Sequence, residues 1–343
     1  MTVLTAQEPA RRPRLQDVAA EAGVSTATVS LVLRGAAGPS GATRERVLAT
    51  AGRLGYRPDR AASLLARRRS RLIGVVMDVR STFHAQLVED VHEAAEEHGY
   101  DLVLSTVTRT RDEARAVETL LDSRCEALVL LGPEAAAARL AALARQVPVV
   151  ALGRSVSSEA VDVVRAADDE GVALAVDHLA GLGHRRIAYV DGGRGAIAAA
   201  RRRGYQRAMR RHRLGGSLQV VAGDPGEESG ARAARELFAA DPAPTAVLTY
   251  NDASAVGVLD VLLRTGVDVP GRVSVVGYDD SPLSRLAHVD LTTVSQESAQ
   301  LVRHAVAAVV ERLDGGRTER REVVVPPRLV VRGTTGPPPS ADG

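Results

Sequence analysis

Apolar residues along the chain follow two regimes. Between residues 15 and 54 they recur every three or four positions: Leu15, Val18, Ala19 and Ala22, then Val29 and Val32, then Val47, Leu48, Ala51 and Leu54. That spacing predicts three short amphipathic helices sharing one small core. From residue 72 the pattern changes to compact apolar runs, LIGVVM, YDLVLSTV, ALVLLG and VPVVAL (72–77, 100–107, 127–132, 147–152), separated by mixed helical stretches. It then repeats with RRIAYVDG, SLQVVAG, TAVLTY and RVSVVGYDD. Alternation of this kind predicts parallel sheets covered by helices on both faces, and two rounds of it predict two similar lobes. The fold class is therefore α/β: a three-helix N-terminal unit followed by a core of two doubly wound parallel sheets.

The first helical pair has a demanding spacing. Ala19 is small where a second helix must cross, Gly23 supplies the turn, Val24 plugs it, and Ser25 is a good N-cap for Thr26 to Leu33. Val29 and Val32 then face back onto the first helix. This is the pattern of a helix-turn-helix, whose second helix inserts its N-terminal side chains into a DNA major groove. Thr26, Ala27, Ser30 and Leu31 become candidate base contacts. Ser25, Thr28, Arg34, Ser40, Thr43, Arg44 and Tyr56 become candidate phosphate contacts, with Ser40 capping the third helix where free amides favour an anion. After Pro58 a short Ala/Leu segment carries Ala62, Leu64 and Leu65. It is too short to be a stable helix alone. Its leucines suit either a minor-groove wedge or a linker packed on the next domain.

Charge supports a DNA partner for the head alone. The chain has a net charge of +2, but residues 1–70 hold 12 Arg against five acids, and the remainder is acidic by five. A basic head on a mildly acidic body is an electrostatic footprint for a polyanion. All 44 basic residues are arginine, which excludes Schiff-base lysine chemistry and a P-loop lysine. One cysteine, Cys125, excludes an internal disulfide framework and a cysteine-based zinc cluster, and its apolar setting suits an inert buried thiol. No metal, cofactor or catalytic residue is expected. The residues before Pro13 have no apolar core of a secretion signal and no run is long enough to span a bilayer, so a cytoplasmic location without membrane contact is expected.

In open α/β sheets ligands sit beyond the carboxyl ends of the strands. The residues there are Asp78, Arg80, Ser81, Thr82, Phe83 and His84 after the first run, Arg201 after the fifth, Asn251 and Asp252 after the seventh, and Asp279 and Asp280 after the eighth. Phe83 is one of only eight aromatic residues, so its place in a loop suggests a face on which a sugar or base could stack. Asp252 suits helix capping as well as ligand binding.

The stretch LQDVAAEAGVSTATVS, with TRERV and LGYRPDRAASLLA, resembles the headpiece and hinge of the lactose-repressor/galactose-repressor (LacI) family. HLAGLGHRRIA, TAVLTYNDASAVG, LTTVSQ and PPRLVVRGTT extend the similarity over residues 14 to 335. The resemblance implies a homodimeric repressor with a periplasmic-binding-protein-like core, a palindromic operator and a small effector between the lobes. It also implies a hinge helix with Leu65 as wedge and Ala62 beside it, and effector contacts from Phe83, His84, Asp169, Arg201 and Asp279, alongside Asp78 and Asn251. Leu31 is apolar where many relatives carry a polar or cationic base reader, and Ala27 is apolar too, which shifts readout toward methyl contacts and DNA shape. Gly195 and Ile197 stand where a purine-binding relative is polar, which favours a sugar. The expected organisation is an arm (1–13), headpiece (14–58), hinge (59–70), core (71–335) and disordered tail (336–343). Within the core, lobe 1 takes 71–167 and 295–320, and lobe 2 takes 168–294 and 321–333. No heptad tail follows Arg332, which favours a dimer over a tail-held tetramer.

Overall fold

The computed structural model describes residues 13–56 and 69–339. The chain divides after Ser70 into two compact units. The first contains α1 (Leu15–Ala22), α2 (Thr26–Leu33) and α3 (Gly41–Arg53). Local chemistry sets each end. The Arg14 amide donates to the Asp17 carboxylate at 2.7 Å, and Gly23 takes φ 64°, which lets the Val24 amide turn back to the Ala19 carbonyl at 3.1 Å. Ser25 Oγ then accepts from the Thr28 amide at 3.1 Å and opens α2. Val18, Ala19, Ala22, Val29, Val32, Val47 and Ala51 form the small core. Arg46 Nε donates to the Ala22 carbonyl at 3.0 Å, tying α3 to the end of α1. One expectation fails: Leu48 is 49% exposed, and the position turned inward on that part of α3 is Thr50. Most of the expected hinge, with Ala62 and Leu65, lies outside the described residues.

The second unit has two lobes. Lobe 1 begins with β1 (Leu72–Asp78), α4 (Thr82–Glu97), β2 (Asp101–Val107), α5 (Glu113–Asp122), β3 (Ala127–Leu131), α6 (Ala137–Ala144), β4 (Val149–Leu152) and β5 (Asp162–Ala166). Lobe 2 follows with α7 (Asp168–Gly181), β6 (Ile187–Val190), α8 (Ala196–Arg211), β7 (Gln219–Val221), α9 (Glu227–Ala239), β8 (Ala246–Thr249), α10 (Asp252–Arg264), β9 (Ser274–Val276) and β10 (Thr293–Ser295). The chain returns to lobe 1 for α11 (Ser298–Leu313) and β11 (Glu322–Val325), then ends in lobe 2 with β12 (Arg328–Val330). The lobe 1 sheet has the order β11-β5-β4-β3-β1-β2 and the lobe 2 sheet β7-β6-β8-β9; every neighbour in both is parallel. β10 and β12 form a separate antiparallel pair. Each main sheet reverses its order once, between β1 and β3 and between β6 and β8, which puts a crevice at those strand ends.

Two expected boundaries are corrected. Residues 322–325 belong to lobe 1, because β11 pairs with β5 and Val325 enters the lobe 1 core. The segment after Thr335 is ordered at least to Pro339. The Gly336 carbonyl accepts from Ser274 Oγ at 3.0 Å and lies 2.9 Å from Nε2 of His184, a residue with no exposed surface. Cys125 is free and buried, and burial pushes its thiol up to about 11, in keeping with an inert role.

Candidate DNA-binding face and ligand cleft

Val29 and Val32 turn one side of α2 into the headpiece core. At 100° per residue the opposite side is Ala27, Ser30, Leu31 and Arg34, with Thr26 flanking it. Thr26, Ala27 and Arg34 are exposed and Ser30 and Leu31 half-buried, so all five remain reachable. Arg34 Nε is held to the Ser30 carbonyl at 3.1 Å. The phosphate candidates have local bonds that fix their directions. Ser25 and Thr28 hydroxyls lie 2.9 Å apart, as do those of Ser40 and Thr43. Arg44 Nη2 donates to the Ala36 carbonyl at 2.8 Å, so this guanidinium braces the loop between α2 and α3. Tyr56 packs against the headpiece core.

In the second unit, strand ends of lobe 1 approach the first turn of α8 in lobe 2. A Cβ placed on Gly132 or on Gly153 would lie 3.7 Å from Ile197 Cδ1, an ordinary contact distance that marks how near the lobes come; glycine is favoured there by the positive φ of 56° and 107°. The cleft centre on the lobe 2 side is Arg201, only 3% exposed. Its Nε donates to Asp168 at 2.8 Å and its Nη1 to the Tyr250 carbonyl at 2.6 Å. Its Nη2 lies 3.5 Å from Asp279, and its Cζ sits 3.6 Å from the Tyr278 ring centroid. Asp279 also accepts from Gln296 Nε2 at 2.7 Å. Burial, only partly opposed by Arg201, pushes the Asp279 carboxyl up to about 7.

The other predicted contacts divide. His84 stands by the cleft: its Nδ1 accepts from the Asp78 amide at 3.1 Å, and its Nε2 would lie 3.5 Å from a Cβ on Gly132. That bond leaves the proton on Nε2. Burial pulls the imidazole down to about 4 despite nearby Asp78, so His84 offers a neutral N–H donor. Asp78 itself is turned to Arg80, at 2.6 Å. Asn251 is committed within lobe 2: Oδ1 accepts from the Ser254 amide at 2.9 Å and Nδ2 donates to the Pro225 carbonyl at 3.0 Å. Two expectations are corrected, for Phe83 and Asp252, and a second acid joins Asp169. Phe83 belongs to α4 and is buried in the lobe 1 core, so it offers no stacking face. Asp168 is the acid on Arg201, whereas Asp169, which also lines the cavity beside that cluster, pairs with Arg207. Asp252 does not cap α10. Asn251 does, and Asp252 is buried, bridging Thr293 Oγ1 at 2.5 Å and the Ser281 amide at 2.7 Å.

A cavity of about 300 Å³ opens beside this cluster, lined by Gly153, Arg154, Ser155, Arg165, Asp168, Asp169, Ala196, Ile197, Ala200 and Arg203. That volume is at the lower end for small-molecule sites. Sequence reasoning missed Asp168, Gln296 and the three lining arginines. Gln296 was visible inside LTTVSQ, but the arginines had no local signal.

A helix-turn-helix unit joined to a two-lobed, cleft-bearing sensor core defines a DNA-binding regulator of the ligand-responsive kind. Residues 14–59 match the family model of bacterial regulatory proteins of the lacI family, and residues 176–335 match that of the periplasmic binding protein-like domain. The chain is 34% identical over 306 residues to the HTH-type transcriptional regulator GalS of Salmonella typhimurium, covering 88% of this chain and 90% of that one. The lac repressor dimer bound to operator and the anti-inducer ONPF superposes with a TM-score of 0.80 at 30% identity, covering 95% of this chain and all of that one. A transcriptional regulator CelR–cellobiose complex gives 0.69 at 31%, covering 94% of this chain and all of the other. The chain belongs to the lacI family of DNA-binding transcriptional regulators. Among the described residues no helix is long and apolar enough to cross a membrane.

Proposed function

We propose that the chain is a cytoplasmic, homodimeric repressor that holds a palindromic operator and is switched by a sugar-like effector in the interlobe cleft. The observation that carries this reading is the pairing, in one chain, of an exposed α2 face with a cleft whose centre is a buried Arg201–Asp168–Asp279 cluster. A plain solute-binding protein of a transport system has no use for the headpiece. Each headpiece reads a half-site through Thr26, Ala27, Ser30 and Leu31. Ser25, Thr28, Arg34, Ser40, Thr43, Arg44 and Tyr56 set its position on the phosphates. Ala62 and Leu65 form the minor-groove wedge, on the strength of the sequence resemblance alone. In the cleft Arg201, Asp279 and His84 present donors and acceptors to hydroxyl groups; the operator-bound lac repressor and the cellobiose-bound relative are the precedents.

An effector shifts operator affinity only through its different affinity for two lobe arrangements, so coupling of about 1–3 kcal/mol per site is the expected scale. The test is operator binding by the full chain, followed by anisotropy over a salt series with and without candidate sugars. Affinity should fall steeply with salt and change roughly 5- to 150-fold with the true effector. Binding that survives deletion of residues 14–56 removes the headpiece role. Occupancy indifferent to a ligand shown by calorimetry to fill the cleft removes the switch.

A further inference from the structure

Of the arginines lining the cleft cavity, only Arg165 pairs with an acid among the described residues. Arg154, Arg165 and Arg203 all line it. The two acids in the lining are already engaged by other cations: Asp168 by Arg201 at 2.8 Å and Asp169 by Arg207. Arg165 shares Glu322, at 3.2 Å, with Arg320. Arg154 has no carboxylate at ion-pair distance among the described residues. Its Nη2 donates to the Ala135 carbonyl at 2.6 Å, and its Nε is shielded from water with no acceptor. Arg203 is exposed on α8 one turn beyond Ala200. The Arg154 Nε is closed off from the cavity as well as from solvent, so a ligand oxygen would have to meet the terminal guanidinium nitrogens. The first turn of α8 adds to the field: it has a glycine N-cap, no side-chain cap and no acidic residue, and Ala196 and Ile197 of that turn line the same cavity.

We infer that the effector of this chain carries an oxyanion, a phosphate monoester or a carboxylate on a polyol, seated between Arg154 and Arg203 with Arg165 beside them. The inference deepens the regulator reading and rests on it for the term effector; the anion site stands on the cavity alone. Guanidinium forks match phosphate and carboxylate geometry with paired N–H donors, and a neutral sugar leaves them unused. The polyol would extend toward Arg201 and Asp279, which Asp168 joins to the cavity wall.

The test uses the full chain at fixed ionic strength, with inorganic phosphate, glucose 6-phosphate, gluconate and glucose as calorimetric probes. Saturable binding of phosphate and of one charged polyol, at least tenfold tighter than glucose, is expected; the phosphate and gluconate arms separate the two oxyanions. The basic headpiece could also bind phosphate, so Arg154→Gln/Arg203→Gln is compared with Arg210→Gln, which removes one charge from α8 about 10 Å further along. The double variant should lose at least about tenfold in affinity and Arg210→Gln less than twofold, with thermal midpoints retained. No saturable binding of any anion to the wild-type chain, or equal binding by the double variant, overturns the inference. Operator binding in the same samples keeps the two readings apart. Salt-dependent operator binding released by glucose, equally in the double variant, sinks the anion site alone. Tight anion binding that leaves operator affinity untouched sinks the switch alone.

Discussion

Arg201→Met is the sharpest perturbation of the sensor core. Methionine keeps much of the side-chain length and apolar contact with Tyr278, but it deletes the hydrogen bonds to Asp168 and the Tyr250 carbonyl and the charge facing Asp279. Two carboxylates, each under 10% exposed, lose their shared cation. Removing one partner of a buried ion pair costs about 3–5 kcal/mol, chiefly because the charge left behind is neither solvated nor paired. For a unit of this size that predicts a fall in melting temperature of roughly 6–20 °C. The cost should shrink on acidification, since both orphaned carboxyls can then take up a proton and lose their charge. The assay is urea and thermal unfolding followed by near-ultraviolet circular dichroism. The chain has no tryptophan and six tyrosines, of which Tyr189, Tyr205, Tyr250 and Tyr278 all belong to lobe 2, so the tyrosine signal reports that lobe. Asp279→Asn in the Arg201→Met background should recover part of the loss. A deficit below about 1 kcal/mol at neutral pH, or one that grows as pH falls, would refute the reasoning.

Two further outcomes follow from close packing and burial. A Cβ on Gly204 would stand 2.6 Å from the Asp169 carbonyl oxygen and 2.7 Å from its Cα, where α8 crosses α7 backbone to backbone. Gly204→Ala should therefore cost about 1–3 kcal/mol by the same tyrosine signal; a neutral or stabilising result would mean the helices separate freely. Burial raises Asp279 to about 7 and, with less opposition from hydrogen bonds at Thr293 and Ser281, Asp252 to about 6, against an ordinary value of 3.8. The folded lobe then holds protons that the unfolded chain has released, so its stability should fall as pH rises from about 4 to about 7. In lobe 1, burial works to raise Asp162, but bonds from Arg312, Arg317 and the Arg321 amide outweigh it and lower that acid, so its contribution is lost only as pH drops below about 4. Urea midpoints that climb steadily from pH 4 to 7 would contradict the assignment to Asp279 and Asp252.

What the sequence made legible was what neighbouring residues decide. Ala19, Gly23, Val29 and Val32 lie within one helical pair, so their spacing alone predicts the turn that the structure contains. The apolar runs of β1 to β4 were equally plain. β5 was not, because Asp162 and Arg165 interrupt its valines. Asp162 is there for Arg312 and Arg317, which arrive 150 and 155 residues later and meet it at 2.7 Å. β11 was assigned to the wrong lobe for a similar reason: its partner β5 lies more than 150 residues earlier, and nothing local to EVVV names it. Asp168 and Asp169 are adjacent on the first turn of α7 and point about 100° apart. Which one meets Arg201 is settled by the angle of α8, not by the letters ADDEG. Phe83 shows the opposite hazard. Its rarity made it conspicuous, yet α4 begins a residue earlier and turns it inward.

The division of labour across the cleft bears on how large any switch can be. Arg201, Asp168 and Asp279 all belong to lobe 2 and are bonded to one another or to lobe 2 backbone, with Gln296 at the crossover. They form a rigid half-site whose geometry does not depend on lobe 1. Lobe 1 brings small or neutral groups to the same cleft, Gly132, Gly153 and the neutral His84, together with Arg154 and Arg165 in the cavity lining. A ligand seated on lobe 2 would therefore gain from lobe 1 one neutral N–H donor and the two arginines. Those are the contacts that closing of the lobes on a ligand would add, so on the proposed switch they would drive it. A donor to a neutral group contributes about 0.5–1.5 kcal/mol and one to a charged group about 1.5–3. On the proposed switch, the energy of closing would come from His84, Arg154 and Arg165, while the lobe 2 half-site would contribute equally to either arrangement. On that proposal, affinity and response to the effector would be separable, set on opposite lobes.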